Sequence, residues 1–530
     1  MLNNAKVRRN KLMIPASMPA VADACGCCEF CCFFEPARVP SMHGLTGNAD
    51  LMWINLPLWR CRIVRGMHAP SPIAALSPEL IRQFDRPAPC YASYPAADRF
   101  VEAFDAQAHT AWLARRNIGG FARPLALYVH LPFCESLCYF CNCNKVITRE
   151  PGRALHYLHY LERELALHLT HLHGSRSITH LHWGGGTPTF LNGAELRSLM
   201  RMLRNQFEFT PAAQISIEID PRTVGSETIG LLAELGFNRV TLGVQDFDPA
   251  VQRAVNRHQS FEMTQAVMQA ARAARFGAID VELICGLPQQ TLDSFGRTLE
   301  RVLALEPDRI ALYRYTHLPA RFKPQRHIAA TDLPGAALQL DLFVLAARQF
   351  TAAGYVTIGL GHFAKPADEW ARALRAGHLQ RSGLGYGTAP DGDLLGIGVS
   401  AISQIGPACS QNSRSLEDYY DRLDQKQLPV ARGMVLTADD LVRRGVIMAL
   451  LGQGEVTLES VAIAHLIDFA HYFARELRAL EAFEQAGLVQ VDAASITVTP
   501  VGRYFLPAIA MVFDRYAAAG TAQAACAKII

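Results

Sequence analysis

Six β-strand-like runs alternate with amphipathic helical patterns between residues 121 and 366, and this alternation constrains the fold more than any other feature. Repeated βα units predict a parallel sheet with helices on its outside. Six units suit an incomplete barrel better than a closed eight-stranded one, so we predict an α/β fold with a partial (β/α)6 barrel. The predicted strands are Leu125–Leu131, Ile178–Trp183, Ile215–Asp220, Arg239–Gln245, Val281–Leu287 and Arg309–Tyr315.

A cysteine cluster follows the first predicted strand, where a barrel carries its functional groups. Cys134, Cys138 and Cys141 have the spacing C-x3-C-x2-C, and Cys143 follows them. Three thiolates on one loop can bind three irons of a [4Fe-4S] cluster, whereas a closed cluster takes four cysteines. A structural zinc site would need a second pair of ligands at a short distance, and none follows. The spacing therefore predicts a cluster with one open iron.

An open iron implies that another molecule binds there, and S-adenosylmethionine is the usual one, through its amino and carboxylate groups. The second predicted strand ends in the glycines Gly184, Gly185 and Gly186. Such a turn is often only a tight turn, but glycines also let a ligand approach and leave backbone N–H and C=O groups free. Glu218 ends the third predicted strand and can hold ribose hydroxyls or an ammonium group. Asp220 fits better as a helix N-cap.

Composition narrows the functional classes. The chain has 530 residues, which suggests two or three structural units. Nine of its 14 cysteines lie in two clusters instead of being spread as a disulfide framework, which favours a reducing, cytoplasmic location. The net charge of +3 and the absence of a Lys/Arg-rich run argue against nucleic-acid binding. No apolar stretch is long enough to span a membrane.

The rest of the chain predicts four further segments around the barrel, which occupies residues 121–366. They are a disordered extension over 1–66, an N-terminal segment over 67–120 that packs on the barrel, an irregular connecting region over 367–433 that completes the active site, and a mainly helical, winged-helix-like C-terminal cap over 434–530. This cap is interpreted as a lid over the substrate, because no basic recognition helix is present.

The extension contains five cysteines between Cys25 and Cys32. Clustered thiols can bind a soft metal, so a second metal site is one interpretation. Their spacing fits no ligand geometry that we can justify. We favour an extension that precedes an alternative start at Met67.

Several long motifs resemble those of the oxygen-independent coproporphyrinogen III oxidase family of radical S-adenosylmethionine enzymes. The motifs are YVHLPFC (128–134), HWGGGTPT (182–189), EIDPR (218–222), GFNRVTLGVQDFDPAVQRAVNR (236–257), GLPQQT (286–291), HLP (317–319) and DLLGIGVSAIS (393–403). The resemblance begins near Tyr91 and continues to Ile530. It implies a radical-SAM-type partial barrel and a monomeric enzyme of haem biosynthesis.

The resemblance also implies roles for individual residues, with one cluster and two S-adenosylmethionine molecules as cofactors. Cys134, Cys138 and Cys141 would be the cluster ligands. Cys143 would not be a ligand but would act in catalysis with Tyr128 and Glu218. The residues implied for the first cofactor molecule are Tyr128, Gly185, Glu218 and Ile402. Those implied for the second are Phe140, Gly186, Thr187, Gln245, Arg257, Glu282 and Thr316.

The implied reaction begins with reductive cleavage of S-adenosylmethionine by an electron from an unidentified donor. The resulting 5′-deoxyadenosyl radical takes a hydrogen atom from the β-carbon of a propionate on coproporphyrinogen III. Loss of CO2 and of one more electron leaves a vinyl group. Two such events give protoporphyrinogen IX.

The sequence departs from the family pattern at several positions. The departures are Glu282 for an aspartate, Thr316 for an alanine, Arg314 for an asparagine, Gly361 for an aspartate, and Gly383 and Leu384 for an aromatic residue and a glutamine. They leave two alternatives open. One is a divergent paralogue that acts on another porphyrinoid. The other is a haem-binding or trafficking protein without decarboxylase turnover. Gly383 and Leu384 favour that alternative, whereas Cys143 argues against it because the related haem chaperones have phenylalanine there.

Overall fold

A twelve-stranded sheet lies at the centre of the structure, and six neighbouring parallel strands of it form the partial barrel. This computed structural model describes residues 76–85, 88–89, 91–116, 123–150, 152–389 and 392–517, so the predictions for residues 1–66 and for the cysteines within them lie outside the described residues. The first eight strands are β1 (Leu125–Leu131), β2 (Phe133–Cys134), β3 (Val146–Ile147), β4 (Ser177–Gly185), β5 (Glu208–Ile219), β6 (Arg239–Gln245), β7 (Ala278–Cys285) and β8 (Arg309–Arg314).

The six barrel strands stand in the order β1-β4-β5-β6-β7-β8 and are all parallel. The predicted partial (β/α)6 barrel is therefore confirmed. Alternate residues of each strand point to opposite faces. One register row, Val129-Trp183-Ile217-Val240, is fully buried beneath the outer helices. The intervening positions, which include Tyr128, His182 and Glu218, face the inside of the barrel and leave polar side chains there.

Nine helices belong to the described part of the chain up to residue 352. They are α1 (Pro78–Phe84), α2 (Ala106–Arg115), α3 (Arg153–His171), α4 (Gly193–Gln206), α5 (Ser226–Glu234), α6 (Pro249–Ala254), α7 (Phe261–Ala273), α8 (Leu292–Ala304) and α9 (Ala336–Ala352). Polar caps explain where several of them begin. Asn192 forms a capping box with Glu195 at α4, and Ser260 caps α7. The short helix α6, capped by Asp248, is additional to the six predicted ones.

The region between residues 352 and 436 is more regular than predicted and extends the sheet on both sides. Its strands are β9 (Val356–Gly359), β10 (His362–Ala364), β11 (Gln380–Ser382), β12 (Gly385–Gly387), β13 (Asp393–Ile397), β14 (Ile402–Ile405), β15 (Ala408–Asn412) and β16 (Val430–Val435), with helices α10 (Glu369–Arg375) and α11 (Leu416–Asp424) between them. β13 is parallel to β1, and β14 to β16 continue from it as antiparallel strands. β10 and β9 continue antiparallel from β8, and β11 and β12 form a separate hairpin. The sequence predicts one strand-like stretch in this region, Leu394–Ser403, which overlaps β13 and β14. The other strands were missed because each is short.

The C-terminal region combines helices with a three-stranded sheet of order β17-β19-β18, which is a winged-helix-like arrangement as predicted. Its elements are α12 (Ala438–Gly452), β17 (Glu455–Thr457), α13 (Leu458–His465), α14 (Phe469–Tyr472), α15 (Ala474–Gln485), β18 (Val489–Val491), β19 (Ser495–Val498) and α16 (Leu506–Met511). The long helix predicted from Asp468 is divided in two near Phe473. None of the helices in the described ranges combines the length and apolar character needed to cross a membrane.

The N-terminal segment divides its packing between two regions, whereas the sequence predicts that all of it packs on the barrel. Trp112 of α2 packs beside Leu167 of α3, on the outside of the barrel. Phe84 of α1 instead packs against Phe483 of the C-terminal region, with ring centroids 4.5 Å apart.

Candidate functional site

The cysteine loop is held in place by hydrogen bonds on both sides. β2 and β3 pair across its base. On the far side, Asn256 donates to the carbonyl of Leu137 at 2.7 Å, and the N–H of Tyr139 donates to Val255 at 3.0 Å. The loop is therefore fixed to the end of α6 before any ligand binds.

All four cysteines of the loop line a cavity of about 900 Å³ at the carboxyl end of the barrel strands. Thr187 lies 3.4 Å from the Cys134 sulfur. The interaction between the Cys141 and Cys143 thiols lowers the pKa of Cys141 and raises that of Cys143. This direction favours the thiolate form of Cys141, which is the form that binds a metal.

Two arginines lie beside the Cys138 sulfur, Arg222 at 3.5 Å and Arg257 at 3.6 Å. These cations would offset the negative charge of a thiolate-bound cluster. No group of three or more His, Cys, Asp or Glu within the described ranges could hold a single metal ion. A cubane cluster makes a different demand, because each cysteine binds a different iron. The loop therefore fits a cluster better than a mononuclear metal.

The glycine turn after β4 is required chiefly by packing within the protein. The N–H of Gly185 donates to Glu218, and those of Gly186 and Thr187 donate to carbonyls of Leu131 and Phe133. These donors are therefore engaged and not free, contrary to the prediction. A Cβ atom at Gly186 would lie 2.6 Å from the backbone of Pro132. Glycine here lets the turn lie flat against the cysteine loop.

Glu218 connects the glycine turn to the interior of the barrel. Its carboxylate accepts from Gly185 at 3.1 Å and pairs with His182 at 3.2 Å. Burial alone would raise its pKa, but these bonds hold the pKa of Glu218 below the usual value. The side chain is still 40% exposed to the cavity. Glu218 is thus an ionised acid that retains room for a ligand.

Tyr128 lies beneath Glu218. Its ring stacks on that of His182, and its hydroxyl lies 3.1 Å from Nδ1 of His130. The other ring nitrogen of His130 lies 2.8 Å from the carbonyl of Asn144 on the cysteine loop. Burial, and then the charge of Glu218, raises the pKa of Tyr128 well above its usual value. Tyr128 is therefore a neutral phenol that supports the site and does not itself line the cavity.

Asp220 sits between two arginines on the same side of the cavity as Cys138. It pairs with Arg222 at 2.6 Å and Arg257 at 3.1 Å. It also caps the short 3-10 helix Pro221–Thr223, which is the role predicted for it. Although burial opposes ionisation, Arg257 and Arg222 hold the pKa of Asp220 below its usual value. The group keeps both guanidiniums aimed at the cysteine loop.

Two buried polar atoms beside this group have no hydrogen-bond partner in the structure, Oε1 of Gln245 and Nε of Arg257. Gln245 ends β6 with a left-handed φ of 69°, a conformation that non-glycine residues rarely adopt. An unpaired buried polar atom costs free energy unless a ligand satisfies it. These atoms therefore fit a polar cofactor in the cavity.

Glu282 on β7 faces the same cavity, and the hydroxyl of Tyr313 donates to it at 3.4 Å. Burial, and then the charge of Glu218, raises the pKa of Glu282 to about 7. Glu282 is therefore a second titratable acid in the cavity, in addition to Glu218.

The remaining predicted site residues divide into two groups. Phe140 and Thr316 line the cavity, and Gln325 joins them by donating to both of their carbonyls. Ile402 does not line it, because it lies on β14 and packs near Phe100. The cavity thus brings together all the predicted cysteines and all the predicted cofactor residues except Tyr128 and Ile402.

The described residues that line the mouth of the cavity come from the N-terminal segment. No residue between 434 and 517 lines it in the described structure, so the role of the C-terminal region as a lid stays a prediction. The N-terminal residues Pro89, Ala96, Ala97 and Asp98 line it instead. Because α1 packs on the C-terminal region, that region acts as a support for the N-terminal segment.

Gly383 and Leu384 lie away from the cysteine loop. They form the turn of the β11–β12 hairpin, and Leu384 lines a second cavity of about 480 Å³. That cavity includes Ala126 and His180, which lie near the amino ends of β1 and β4. A Cβ atom at Gly383 would meet the side chain of Leu394 at 2.9 Å, so a larger residue needs that flexible side chain to move.

Several residues of the site were not singled out from the sequence, namely His130, His182, Arg222, Tyr313 and Gln325. Most of them lie within the YVHLPFC, HWGGGTPT and EIDPR motifs, so motif membership was the available signal. No sequence signal marked Gln325, because it lies well after β8, in the 3-10 helix Lys323–His327 that brings it to the site.

Comparisons with known proteins agree with this site. The sequence pattern of the radical SAM superfamily matches residues 128–302. The oxygen-independent coproporphyrinogen III oxidase of Pseudomonas aeruginosa is 47% identical over 83% of this chain and 95% of its own length. The Escherichia coli protein of the same name is 44% identical over 82% of this chain and 94% of its own.

A solved structure gives the same result. The Escherichia coli coproporphyrinogen III oxidase, described as a radical SAM enzyme, matches with a TM-score of 0.77 and 45% identity, over 80% of this chain and 97% of that one. The radical SAM family implies a [4Fe-4S] cluster and S-adenosylmethionine. The chain belongs to the oxygen-independent coproporphyrinogen III oxidase family of radical S-adenosylmethionine enzymes.

Proposed function

We propose that this enzyme converts two propionates of coproporphyrinogen III to vinyl groups by oxidative decarboxylation and so forms protoporphyrinogen IX. The observation that carries the proposal is the single cavity at the carboxyl ends of the barrel strands. It is lined by four loop cysteines, by the glycine turn, and by polar atoms that lack partners.

Cys134, Cys138 and Cys141 are the proposed ligands of the [4Fe-4S] cluster. With S-adenosylmethionine bound, this cofactor pair supplies the one-electron chemistry that removes hydrogen from the propionate. The protein holds the three sulfurs on a loop fixed to α6 and places Arg222 and Arg257 next to one of them. These positive charges would offset the negative charge of a thiolate-bound cluster.

Glu218 and Gly185 are proposed to hold the first S-adenosylmethionine molecule. The Glu218 carboxylate is ionised and partly exposed to the cavity, so that it can accept from an ammonium group or from ribose hydroxyls. Tyr128 and His182 hold it from below. The contact of Ile402 with this molecule stays a prediction, since Ile402 packs outside the cavity lining.

A second S-adenosylmethionine molecule is proposed on the opposite side of the cavity. Gln245 and Arg257 offer one buried acceptor and one buried donor that the protein leaves unpaired. Glu282 lies beside them and can accept ribose hydroxyls. The residues proposed to complete this site are Phe140, Gly186, Thr187 and Thr316.

Cys143 is proposed to act on the substrate and not on the cluster. It is the exposed cysteine of the loop, whereas Cys138 is buried. Its thiol lies in the same cavity as Glu218, and Tyr128 carries its proton on the buried side of that acid. Cys143 thus carries a thiol hydrogen inside the cavity, and Tyr128 carries a phenolic hydrogen beneath Glu218.

The setting of the enzyme follows from the same proposal. We expect a cytoplasmic monomer that receives electrons from a reductant of the cell and that binds neither nucleic acid nor membrane. The cysteine loop supports a reducing location, because exposed thiols such as Cys143 would be oxidised elsewhere.

An anaerobic assay tests the function. The cluster of the full chain is reconstituted, S-adenosylmethionine and a reductant are added, and coproporphyrinogen III is followed by mass. We expect two losses of CO2 and the formation of 5′-deoxyadenosine. Deoxyadenosine without loss of CO2 would contradict the oxidase and keep the radical enzyme, whereas absence of deoxyadenosine would contradict both.

A further inference from the structure

One arginine that lines the first cavity and two arginines on neighbouring segments, Arg321, Arg414 and Arg432, are together called the arginine rim. Arg321 lines the cavity on the segment after β8. Arg414 follows β15, and its carbonyl accepts from Asn144 of the cysteine loop at 3.1 Å. Arg432 lies on β16, where its guanidinium bonds to Gln411 and lies over the ring of Phe100.

The three charges are close to one another. Burial lowers the pKa of the Arg432 guanidinium, and the charges of Arg414 and then Arg321 lower it further. Asp98 and Glu102 act in the opposite direction, but less strongly. The rim therefore carries an excess of positive charge at the point where a ligand enters.

The inner arginines of the cavity differ from the rim in one respect. Arg222 and Arg257 are paired with Asp220, and Arg314 is paired with Asp85. Within the described ranges, no carboxylate lies within ion-pair distance of Arg321, Arg414 or Arg432. Arg222, Arg257 and Arg314 are thus paired with acids, whereas the three rim arginines are available to an anion.

We propose that the arginine rim binds the propionate carboxylates of the tetrapyrrole that are not reacting. This inference rests on the proposed function. The substrate has four propionates, all ionised at neutral pH. When one reaches the cysteine loop, the others must lie further out, and guanidinium groups bind carboxylates in a planar, two-pronged geometry.

The rim also has a consequence for specificity. A tetracarboxylate can pair with more of the three arginines at once than a dicarboxylate can. The rim should therefore favour the substrate over the product, which retains only two propionates, and so assist product release.

Binding of two stable porphyrins tests the rim separately from turnover. Coproporphyrin III, with four propionates, and protoporphyrin IX, with two, are titrated into the cluster-loaded full chain, and Kd is measured from porphyrin fluorescence. The variants are Arg321→Gln, Arg414→Gln and Arg432→Gln. The matched control is Arg326→Gln, since Arg326 is an exposed arginine near Arg321 that does not line the cavity.

We expect each rim variant to weaken coproporphyrin III binding about 5-fold and protoporphyrin IX binding about 2-fold or less, as for a partly exposed ion pair. The control should leave both unchanged. Arg414→Lys should regain part of the loss, because it restores the charge without the planar geometry. The cluster absorbance of every variant should match that of the wild type.

Two results would overturn the inference. One is rim variants that bind coproporphyrin III as Arg326→Gln does. The other is equal weakening for both porphyrins. If the wild type decarboxylates coproporphyrinogen III while either result is obtained, only the rim inference fails. If the wild type neither binds nor converts the substrate, the proposed function itself fails.

Discussion

Both ends of the barrel contain arginines and acids. These side chains are paired with one another at the amino end, whereas at the carboxyl end they surround an open cavity. At the amino end, Arg309 pairs with Asp368 at 3.0 Å and Glu369 at 2.7 Å, and its guanidinium lies 3.9 Å from the centre of the Trp370 ring. Arg239 also pairs with Glu369. At the carboxyl end, arginines and acids surround an open cavity in which some polar atoms have no partner.

The difference lies in what closes each end. Helix α10, capped by Asp368, supplies the acids that neutralise the arginines of the amino end. At the carboxyl end the loops supply only part of the partners and leave the rest to cofactor and substrate. Buried charge therefore stabilises the fold at one end and binds ligands at the other, which is the usual division in barrels of parallel strands.

The largest effect is expected from the cysteine loop. Cys138→Ser removes one of three thiolates, and a hydroxyl does not replace it as an iron ligand. The variant should lose the visible absorbance of the cluster and should form no deoxyadenosine. Anaerobic reconstitution with iron determination and product analysis would measure both.

Cys409→Ala is the matched control for that variant, because Cys409 is a buried cysteine on β15 outside the cavity. It should retain the cluster and the activity. A Cys138→Ser protein that still held a full cluster, or a Cys409→Ala protein that lost it, would show that the open end of the barrel is not the iron site.

A matched pair of arginine variants tests the two ends directly. Arg309→Gln leaves the buried Asp368 without its counter-charge, while Glu369 keeps Arg239, so the free energy of unfolding should fall by about 3–5 kcal/mol. Arg257→Gln leaves Asp220 paired with Arg222, so the loss should be only about 1 kcal/mol. Urea unfolding would measure both.

Activity should rank the same two variants in the opposite order. Arg257→Gln should raise the KM for S-adenosylmethionine by about 10-fold or more, since it removes a charged contact. Arg309→Gln should leave that KM near the wild-type value wherever the protein stays folded. Equal losses of stability in the two variants would remove the distinction between the ends.

Much of the carboxyl end could be predicted from the sequence, because its residues lie in short motifs directly after strands. The cysteine loop, the glycine turn and Glu218 each follow or end a strand whose apolar pattern is clear. Parallel strands bring their carboxyl ends to one edge, so residues far apart in sequence had to meet there. The cavity contains them, but their roles toward cofactors remain proposals.

Other features depend on tertiary contacts that no local pattern shows. The N-terminal segment lines the mouth of the cavity, and its Phe84 packs against the winged-helix-like region. The engaged N–H groups of the glycine turn depend on the distant carbonyls of Leu131 and Phe133. Strands β15 and β16 were missed because both are short.

The glycine turn offers a smaller test of how tightly the carboxyl end is packed. Gly186→Ala places a methyl group 2.6 Å from the backbone of Pro132, so the turn or the cysteine loop must shift. The free energy of unfolding should fall by about 1–3 kcal/mol, and the iron content should fall with it. Thermal unfolding and iron analysis would measure the two effects.

Gly230→Ala in α5 is the control for this substitution, since a Cβ atom there meets nothing within 4 Å. It should stabilise the protein by about 1 kcal/mol, because alanine is the better helix former. If Gly186→Ala were as stable as Gly230→Ala and kept its iron, the close packing of turn and loop would not be needed for the site.

The smallest effect concerns Glu282 and the pH dependence of the open end. Burial, and then the charge of Glu218, raises its pKa from 4.5 to about 7 in the folded protein. A raised carboxyl pKa contributes stability that is fully present below pH 4.5 and is lost as the pH rises through about 7. Glu282→Gln stays neutral and lacks this loss. From acidic to alkaline pH, the free energy of unfolding of Glu282→Gln should therefore rise by roughly 1–2 kcal/mol relative to that of the wild type. This value includes the screening of the charge by water in the cavity.

Urea unfolding between these pH values would measure the effect, with Glu300→Gln as the control, since Glu300 is exposed on α8. The control curve should run parallel to that of the wild type, and the Glu282→Gln curve should diverge from it as the pH rises. Parallel curves for both variants would mean that the cavity screens Glu282 from Glu218. In that case the charge of Glu218 would not raise the pKa of Glu282. The comparison between the two ends would then rest on the unpaired atoms of Gln245 and Arg257.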